Sequence, residues 1–218
     1  MPEIIPTVVP ECADDIPAAL ARSTFANILH VDFANGTLSR NSTWLPLAPH
    51  DFPQSTHSYE VHLMVADPLA LGLSCARAGA ARIIAHVESF ANAERARDVF
   101  ALWRTAGAKE IGIALTMQTP LGACDSYISL VDCVQLMTIQ TIGEQGQLFD
   151  ASAVARVNAL HSRHPRLFIA VDGGVTLENI SELARAGARR FCVGAALARS
   201  DDPASTYEEL RGAVNAVS

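Results

Sequence analysis

The chain has a single lysine, Lys109, among 218 residues. Schiff-base catalysis and pyridoxal phosphate attachment both need a desolvated active-site lysine. Only Lys109 can serve, and it precedes an apolar run instead of following one. Basic charge is scarce as well: 16 Lys+Arg against 23 Asp+Glu leave a net charge of −7. This argues against nucleic acid and anionic membrane as partners, since both need basic surface. No run of eighteen apolar residues occurs, so no segment reads as a membrane span. The first ten residues lack a basic n-region, and no secretory signal is expected. The five cysteines (Cys12, Cys75, Cys124, Cys133 and Cys192) are odd in number and form no CxxC pair. Free thiols in a reducing cytoplasm are expected, with neither a disulfide framework nor a thiolate zinc site. With 50% hydrophobic residues and only 18% charged, disorder is excluded as the global state.

What is present is a weak internal repeat. Ala78-Gly79-Ala80, Ala106-Gly107-Ala108 and Ala186-Gly187-Ala188 each end an alanine-rich amphipathic run and precede a short apolar segment. A helix closed by glycine and followed by a strand gives this pattern. The first two glycines lie 28 residues apart and the last two 80 apart, or three steps. Eight units of about 27 residues fill the chain, which is the arithmetic of a (β/α)8 TIM barrel, here one domain over 1–218. Strands are expected at 4–9, 27–32, 59–65, 82–87, 110–115, 133–137, 167–172 and 190–193. Most are short apolar runs, as parallel strands buried on both faces require. Asp67-Pro68, Thr119-Pro120 and Asp202-Pro203 each pair an N-cap residue with proline at N1. Asp150 and Thr176 are further N-cap candidates. Residues 33–58 show little helical pattern and read as a long loop with at most a short helix. Lys109 falls at the end of the barrel away from the chemistry.

Four polar residues stand at the C-terminal ends of apolar strands: His30 and Asp32 in Ile28-Leu29-His30-Val31-Asp32, His62 in Val61-His62-Leu63, and Asp172 in Ala170-Val171-Asp172. Side chains two apart on a strand point the same way, so His30 and Asp32 share the barrel interior. Strands two, three and seven of a closed barrel can bring all four together. Two imidazoles and two carboxylates suit zinc, iron, manganese or cobalt. A divalent cation also removes the cost of burying two carboxylates side by side. Glycines follow the last three strands: Gly143 to Gly146, Gly173-Gly174 and Gly194-Ala195. They let backbone amides approach an anion closely, at the usual phosphate position of such barrels. His86 and Glu88 read first as packing residues, with a place on the barrel mouth as the second reading. His50, His57, His161 and His164 are expected on the surface or in loops.

At these residues the chain resembles the ribulose-phosphate 3-epimerase family. The likeness rests on His30-Val31-Asp32 with Asn41 downstream, on Val61-His62-Leu63-Met64-Val65-Ala66-Asp67-Pro68, and on Ala85-His86-Val87-Glu88. It continues through Thr119-Pro120-Leu121, Leu136-Met137-Thr138, Val171-Asp172-Gly173-Gly174-Val175 and Val193-Gly194. Lysine-dependent phosphate barrels with a D-x-K-x-x-D strand are excluded, because Phe33-Ala34 follow Asp32. The resemblance implies one divalent metal, zinc first with iron, manganese or cobalt as alternatives, held by His30, Asp32, His62 and Asp172. It implies a cytoplasmic homo-oligomer acting on a sugar phosphate, most simply converting D-ribulose 5-phosphate to D-xylulose 5-phosphate. Asp32 would remove the C3 proton from one face and Asp172 deliver one to the other. His62, Met64 and Met137 would touch substrate, with Gly143, Gly146, Gly173, Gly174, Gly194 and Ala195 around the phosphate. Departures fall near this site. The family's strand-one serine is aligned with Pro10, its methionine and aspartate after His-Val-Asp-x are Ala34 and Asn35, its Gly-Ser is Gly194-Ala195, and Glu144 enters the loop after strand six. They motivate two alternatives: a different ketose or ketose phosphate such as D-allulose 6-phosphate, or a barrel that binds a sugar phosphate without turnover.

Overall fold

Parallel strands need long return connections, and the alternation of short apolar runs with alanine-rich helices supplies them. The computed structural model describes residues 2–46, 51–53 and 55–217. The strands are β1 (Glu3–Val8), β2 (Ile28–Ala34), β3 (Ser58–Met64), β4 (Ala80–His86), β5 (Glu110–Leu115), β6 (Cys133–Met137), β7 (Ile169–Asp172) and β8 (Arg190–Val193). They pair in parallel in chain order, and β8 returns to β1 to close an eight-stranded barrel. Around it lie α1 (Asp15–Arg22), α2 (Leu69–Arg77), α3 (Ala93–Ala106), α4 (Ser152–Arg163), α5 (Ile180–Arg185), α6 (Ala195–Ala198) and α7 (Pro203–Asn215). None of the described helices is long and apolar enough to cross a membrane.

Alternation along each strand splits the barrel into two environments. Outward positions such as Leu29, Val31, Val61, Leu63, Ile83, Ile111, Ile113, Val171 and Phe191 are buried against the helices in one apolar cluster. Buried polar side chains on the same strands take the alternate positions: His30 and Asp32, Glu60 and His62, Arg82 and His86, Gln135, Asp172, and Arg190. The strands therefore read as apolar runs in sequence although half of each faces a polar interior.

The helix signals hold in part. Gly79, Gly107 and Gly187 all have positive φ (96°, 127° and 114°), as helix-closing glycines should. Asp202 caps α7 by accepting from the Ser205 N–H at 3.0 Å, with Pro203 at the first position. Asp67 and Asp150 accept from Leu69 and Ser152 N–H just ahead of α2 and α4. Two expectations fail. Asn179, not Thr176, stands at the N-cap of α5, and its Oδ1 accepts from the Thr176 N–H. Thr119-Pro120 starts no α-helix; a short 3-10 turn, Leu121–Cys124, follows. Gly122 and a run of poor helix formers there disfavour a longer helix, and Arg156 holds the loop through the Thr116 and Thr119 carbonyls. In the long connection after β2, no α-helix occurs among the described residues; Asn35 and Ser42 form one isolated bridge.

α2 and α3 pack through Gly72, where an added Cβ would sit 2.3 Å from Trp103 Cε2. Glycine in a helix interior ordinarily costs about 1 kcal/mol relative to alanine. Here overpacking outweighs that gain, so Gly72→Ala is expected to destabilise the chain by about 1–3 kcal/mol in chemical denaturation. An alanine variant as stable as the parent would show that the helices part freely at this point.

Candidate metal centre

The register of β2 against β3 sets Asp32 beside His62 and His30 beside Glu60. The β6–β7 register sets Met137 beside Asp172, and Asp172 pairs in turn with Cys192. The Asp172 backbone is fixed from outside: the Thr138 N–H and hydroxyl both donate to its carbonyl, at 2.8 and 3.0 Å.

The four expected residues converge. One donor atom from each of His30, Asp32, His62 and Asp172 lies within 4.8 Å of the others, and all four residues are buried. Asp32 Oδ1 is 3.2 Å from His30 Nε2 and 2.9 Å from His62 Nδ1. Asp172 Oδ2 is 3.3 Å from His62 Nδ1 and 3.9 Å from His30 Nε2. Burial opposes ionisation of Asp32, but His30 and His62 outweigh it and hold the carboxyl below its usual range. Burial likewise opposes protonation of His62, and its contacts with Asp172 and Asp32 raise its pKa regardless. No lysine or arginine reaches either aspartate among the described residues. A buried set of two imidazoles and two carboxylates in mutual reach, short of positive charge, suits a divalent ion such as zinc, iron, manganese or cobalt.

Several surrounding residues escaped the sequence reading. Glu60 accepts from His30 Nδ1 at 2.7 Å, so His30 presents Nε2 to the centre. Its carboxylate also meets Arg190 at 3.1 Å. Arg190 and Arg82 are each bound in turn to Glu3 and Glu110, forming an ionic layer beneath the centre. Burial opposes ionisation of Glu60, yet His30, Arg190 and Arg82 hold its carboxyl at about 2. The Gln135 amide donates to Asp172 Oδ2 at 3.3 Å. The signal available in sequence was parity: each of these residues sits at an even spacing from an inward ligand on its own or a paired strand.

Above the centre opens a cavity of about 600 Å³. Asp32, Asp172, Met64, Met137, Gly143, Gly146, Gly173, Gly174, Gly194 and Ala195 all line it. Gly174 has φ 65°, and a Cβ there would lie 2.8 Å from the Phe149 backbone nitrogen, so glycine is required. His62 does not line the cavity; it is wholly buried beneath Asp32. His86 is also wholly buried and lies off the cavity wall, so its place is under the mouth and not on it. Inward positions on the first strand are Thr7 and Val9, which line the cavity, while Pro10 is buried outside it and accepts from the Trp44 N–H. The first strand therefore brings a hydroxyl, that of Thr7, to the cavity. Arg199, missed in sequence, lines the wall beside Gly146. Glu144 lines it too and accepts from Asn41 Nδ2 at 3.3 Å. His57, His161 and His164 are half-buried outside the cavity, and His50 lies outside the described residues.

A profile of the ribulose-phosphate 3 epimerase family matches residues 2–198. Ribulose-phosphate 3-epimerase 2 of Cupriavidus necator is 32% identical over 194 residues, covering 85% of this chain and 78% of that protein. Ribulose-phosphate 3-epimerase of Mycobacterium bovis is 30% identical over 199 residues, covering 88% and 84%. Among solved structures, KGPDC from Streptococcus mutans superposes with a TM-score of 0.70 at 13% identity, covering 100% of this chain and 99% of that one. At that identity the likeness shows the barrel fold alone.

Two outcomes follow from this geometry. Arg190→Met leaves the buried Glu60 without its nearest cation, and a loss of about 3–5 kcal/mol of stability is expected in urea denaturation. A divalent ion supplied at about 100 times its Kd should stabilise the native chain by about 2.7 kcal/mol. The Asp32→Asn/Asp172→Asn double variant should lose that response in thermal melts. An undiminished metal response in the double variant would place the ion elsewhere.

Proposed function

The chain belongs to the ribulose-phosphate 3-epimerase family and is an isomerase acting on carbohydrate, and we propose that it inverts C3 of a ketopentose 5-phosphate, converting D-ribulose 5-phosphate to D-xylulose 5-phosphate. The observation that carries this reading is the pair Asp32 and Asp172. They reach one cavity floor from β2 and β7, each about 6% exposed, while both imidazoles sit behind them.

Inversion beside a carbonyl needs a base on one face of the carbon and an acid on the other. Asp32, kept ionised by the flanking imidazoles, takes the C3 proton. The electron pair of the broken C–H bond moves into the substrate's planar enediolate. Asp172, protonated for the return step, delivers a proton to the opposite face, and the C–H bond re-forms with inverted configuration. No electrons are gained or lost overall. A divalent ion held by His30, Asp32, His62 and Asp172 supplies Lewis-acid stabilisation of the negative charge on the substrate oxygens. Met64 and Met137 give the floor an apolar rim that limits water. The backbone around Gly173, Gly174, Gly194 and Ala195 receives the phosphate, with the Arg199 guanidinium beside it. This arrangement suits an acidic chain with one lysine, since the anion is met by amides and a single arginine.

Glu144 favours a second reading. Its carboxylate lines the cavity near Asn41 and offers an acceptor for an additional sugar hydroxyl. A ketohexose phosphate such as D-allulose 6-phosphate would provide one.

The test is incubation of the metal-loaded protein with D-ribulose 5-phosphate in D2O. D-xylulose 5-phosphate carrying deuterium at C3 is expected, and Asp32→Asn or Asp172→Asn should lower kcat by roughly 10²–10⁴. Turnover of D-allulose 6-phosphate with none of the pentose phosphate would select the second reading. Inertness toward both sugars would refute epimerisation at this site.

A further inference from the structure

Two polar groups that the proposed reaction leaves unused, the buried His86 and the exposed Glu88, form a connected chain running away from the centre. His86 is wholly buried, and its Nε2 lies 2.9 Å from His62 Nε2. Two ring nitrogens at hydrogen-bond distance can satisfy one another only if one carries a proton and the other a lone pair. The other end of His86 decides which. Its Nδ1 faces Glu88 Oε2 at 3.2 Å. Glu88 Oε1 accepts from the Thr116 N–H at 3.0 Å, from the Thr116 hydroxyl at 2.9 Å and from the Thr119 hydroxyl. A carboxylate so surrounded by donors is an acceptor toward His86 as well, which puts the His86 proton on Nδ1. His86 Nε2 then holds the lone pair and accepts from His62 Nε2–H. That leaves His62 Nδ1, the nitrogen nearest Asp32 and Asp172, without a required proton and free to donate its lone pair inward.

We propose that His86, set by Glu88, is a positioning residue that fixes the tautomer and orientation of His62, so that His62 offers Nδ1 as the ligating atom. This rests on the reading of His30, Asp32, His62 and Asp172 as a metal centre. It goes beyond that reading because neither His86 nor Glu88 touches the ion or the cavity floor in the role assigned. The arrangement is the imidazole counterpart of the contact by which Glu60 sets His30. His30 is held through Nδ1 and presents Nε2, whereas His62 is held through Nε2 and presents Nδ1. The two ligand rings thus meet the centre through opposite nitrogens, His30 held from behind by Glu60 and Cys192 and His62 by His86. Partners of this kind orient metal-bound histidines and typically alter metal affinity 10–100-fold when removed.

The test compares wild type, His86→Phe and His86→Gln as full chains stripped of metal and titrated with zinc against a chelator of known affinity. His86→Phe keeps a flat ring of similar size and removes the acceptor; its zinc Kd should rise about 10–100-fold. His86→Gln restores a carbonyl acceptor and should recover most of the loss. Melting of the metal-free proteins separates this effect from a general loss of fold. Should His86→Phe fail to fold, ¹⁵N NMR of the imidazoles in zinc-loaded wild type decides alone. His62 is expected to be protonated on Nε2 with zinc on Nδ1, and His86 protonated on Nδ1. A folded His86→Phe that binds zinc within twofold of wild type, or a His62 protonated on Nδ1, would overturn the inference. Wild type that binds zinc while these outcomes fail leaves the metal reading standing; wild type that takes up no divalent ion overturns both.

Discussion

Two buried carboxyl groups within reach of one another on the floor of a cavity set the terms for everything around them. Asp32 and Asp172 share His62 Nδ1 as a neighbour, at 2.9 and 3.3 Å, and no lysine or arginine approaches either among the described residues. Where both are ionised their charges repel, and burial amplifies the repulsion. The buried arginines Arg82 and Arg190 are engaged below by Glu3, Glu60 and Glu110. A divalent ion would resolve the conflict, and in the reaction proposed above the same ion would make the substrate oxygens better able to bear charge. Electrostatic need and reaction chemistry thus ask for one occupant.

The barrel meets this demand by stacking polar layers. The lowest holds Glu3, Arg82, Glu110 and Arg190 in alternating charge. Glu60 stands above it, anchored by Arg190 and reaching up to His30. The four converging residues come next, and the cavity with its glycine-bearing loops lies over them. Each layer holds the one above in place. On the outer face of the same strands, apolar residues alternate with these groups and bury against the helices, so cohesion and chemistry occupy opposite sides of one sheet.

Most of the architecture was legible because its signals are local. Glycine after an alanine-rich run marks a helix end wherever it occurs, and Asp202-Pro203 starts a helix as expected. The convergence of His30, Asp32, His62 and Asp172 was legible once eight strands were placed in one barrel, since each is an inward polar residue in an apolar strand, although only Asp172 ends its strand. Glu60, Arg82, Gln135 and Arg190 were not, because one polar or charged residue in an apolar strand looks like an edge or a helix-facing exception until the inward parity is fixed. Pro10 shows the same difficulty from the other side. One step of parity separates it from Val9, and only the paired strand decides that Thr7 and Val9 face inward. The contacts of His86 draw on β3, β4 and the connections after β4 and β5, and had no trace in spacing alone.

The most direct measurement is anomalous diffraction from crystals of the chain grown with zinc, collected on both sides of the metal's absorption edge. The expected result is one peak bounded by His30 Nε2, Asp32, His62 Nδ1 and Asp172, at bond lengths of about 2.0–2.2 Å. A peak elsewhere, or none at this position in zinc-saturated crystals, would contradict the central claim that these two carboxylates are buried around a shared cation.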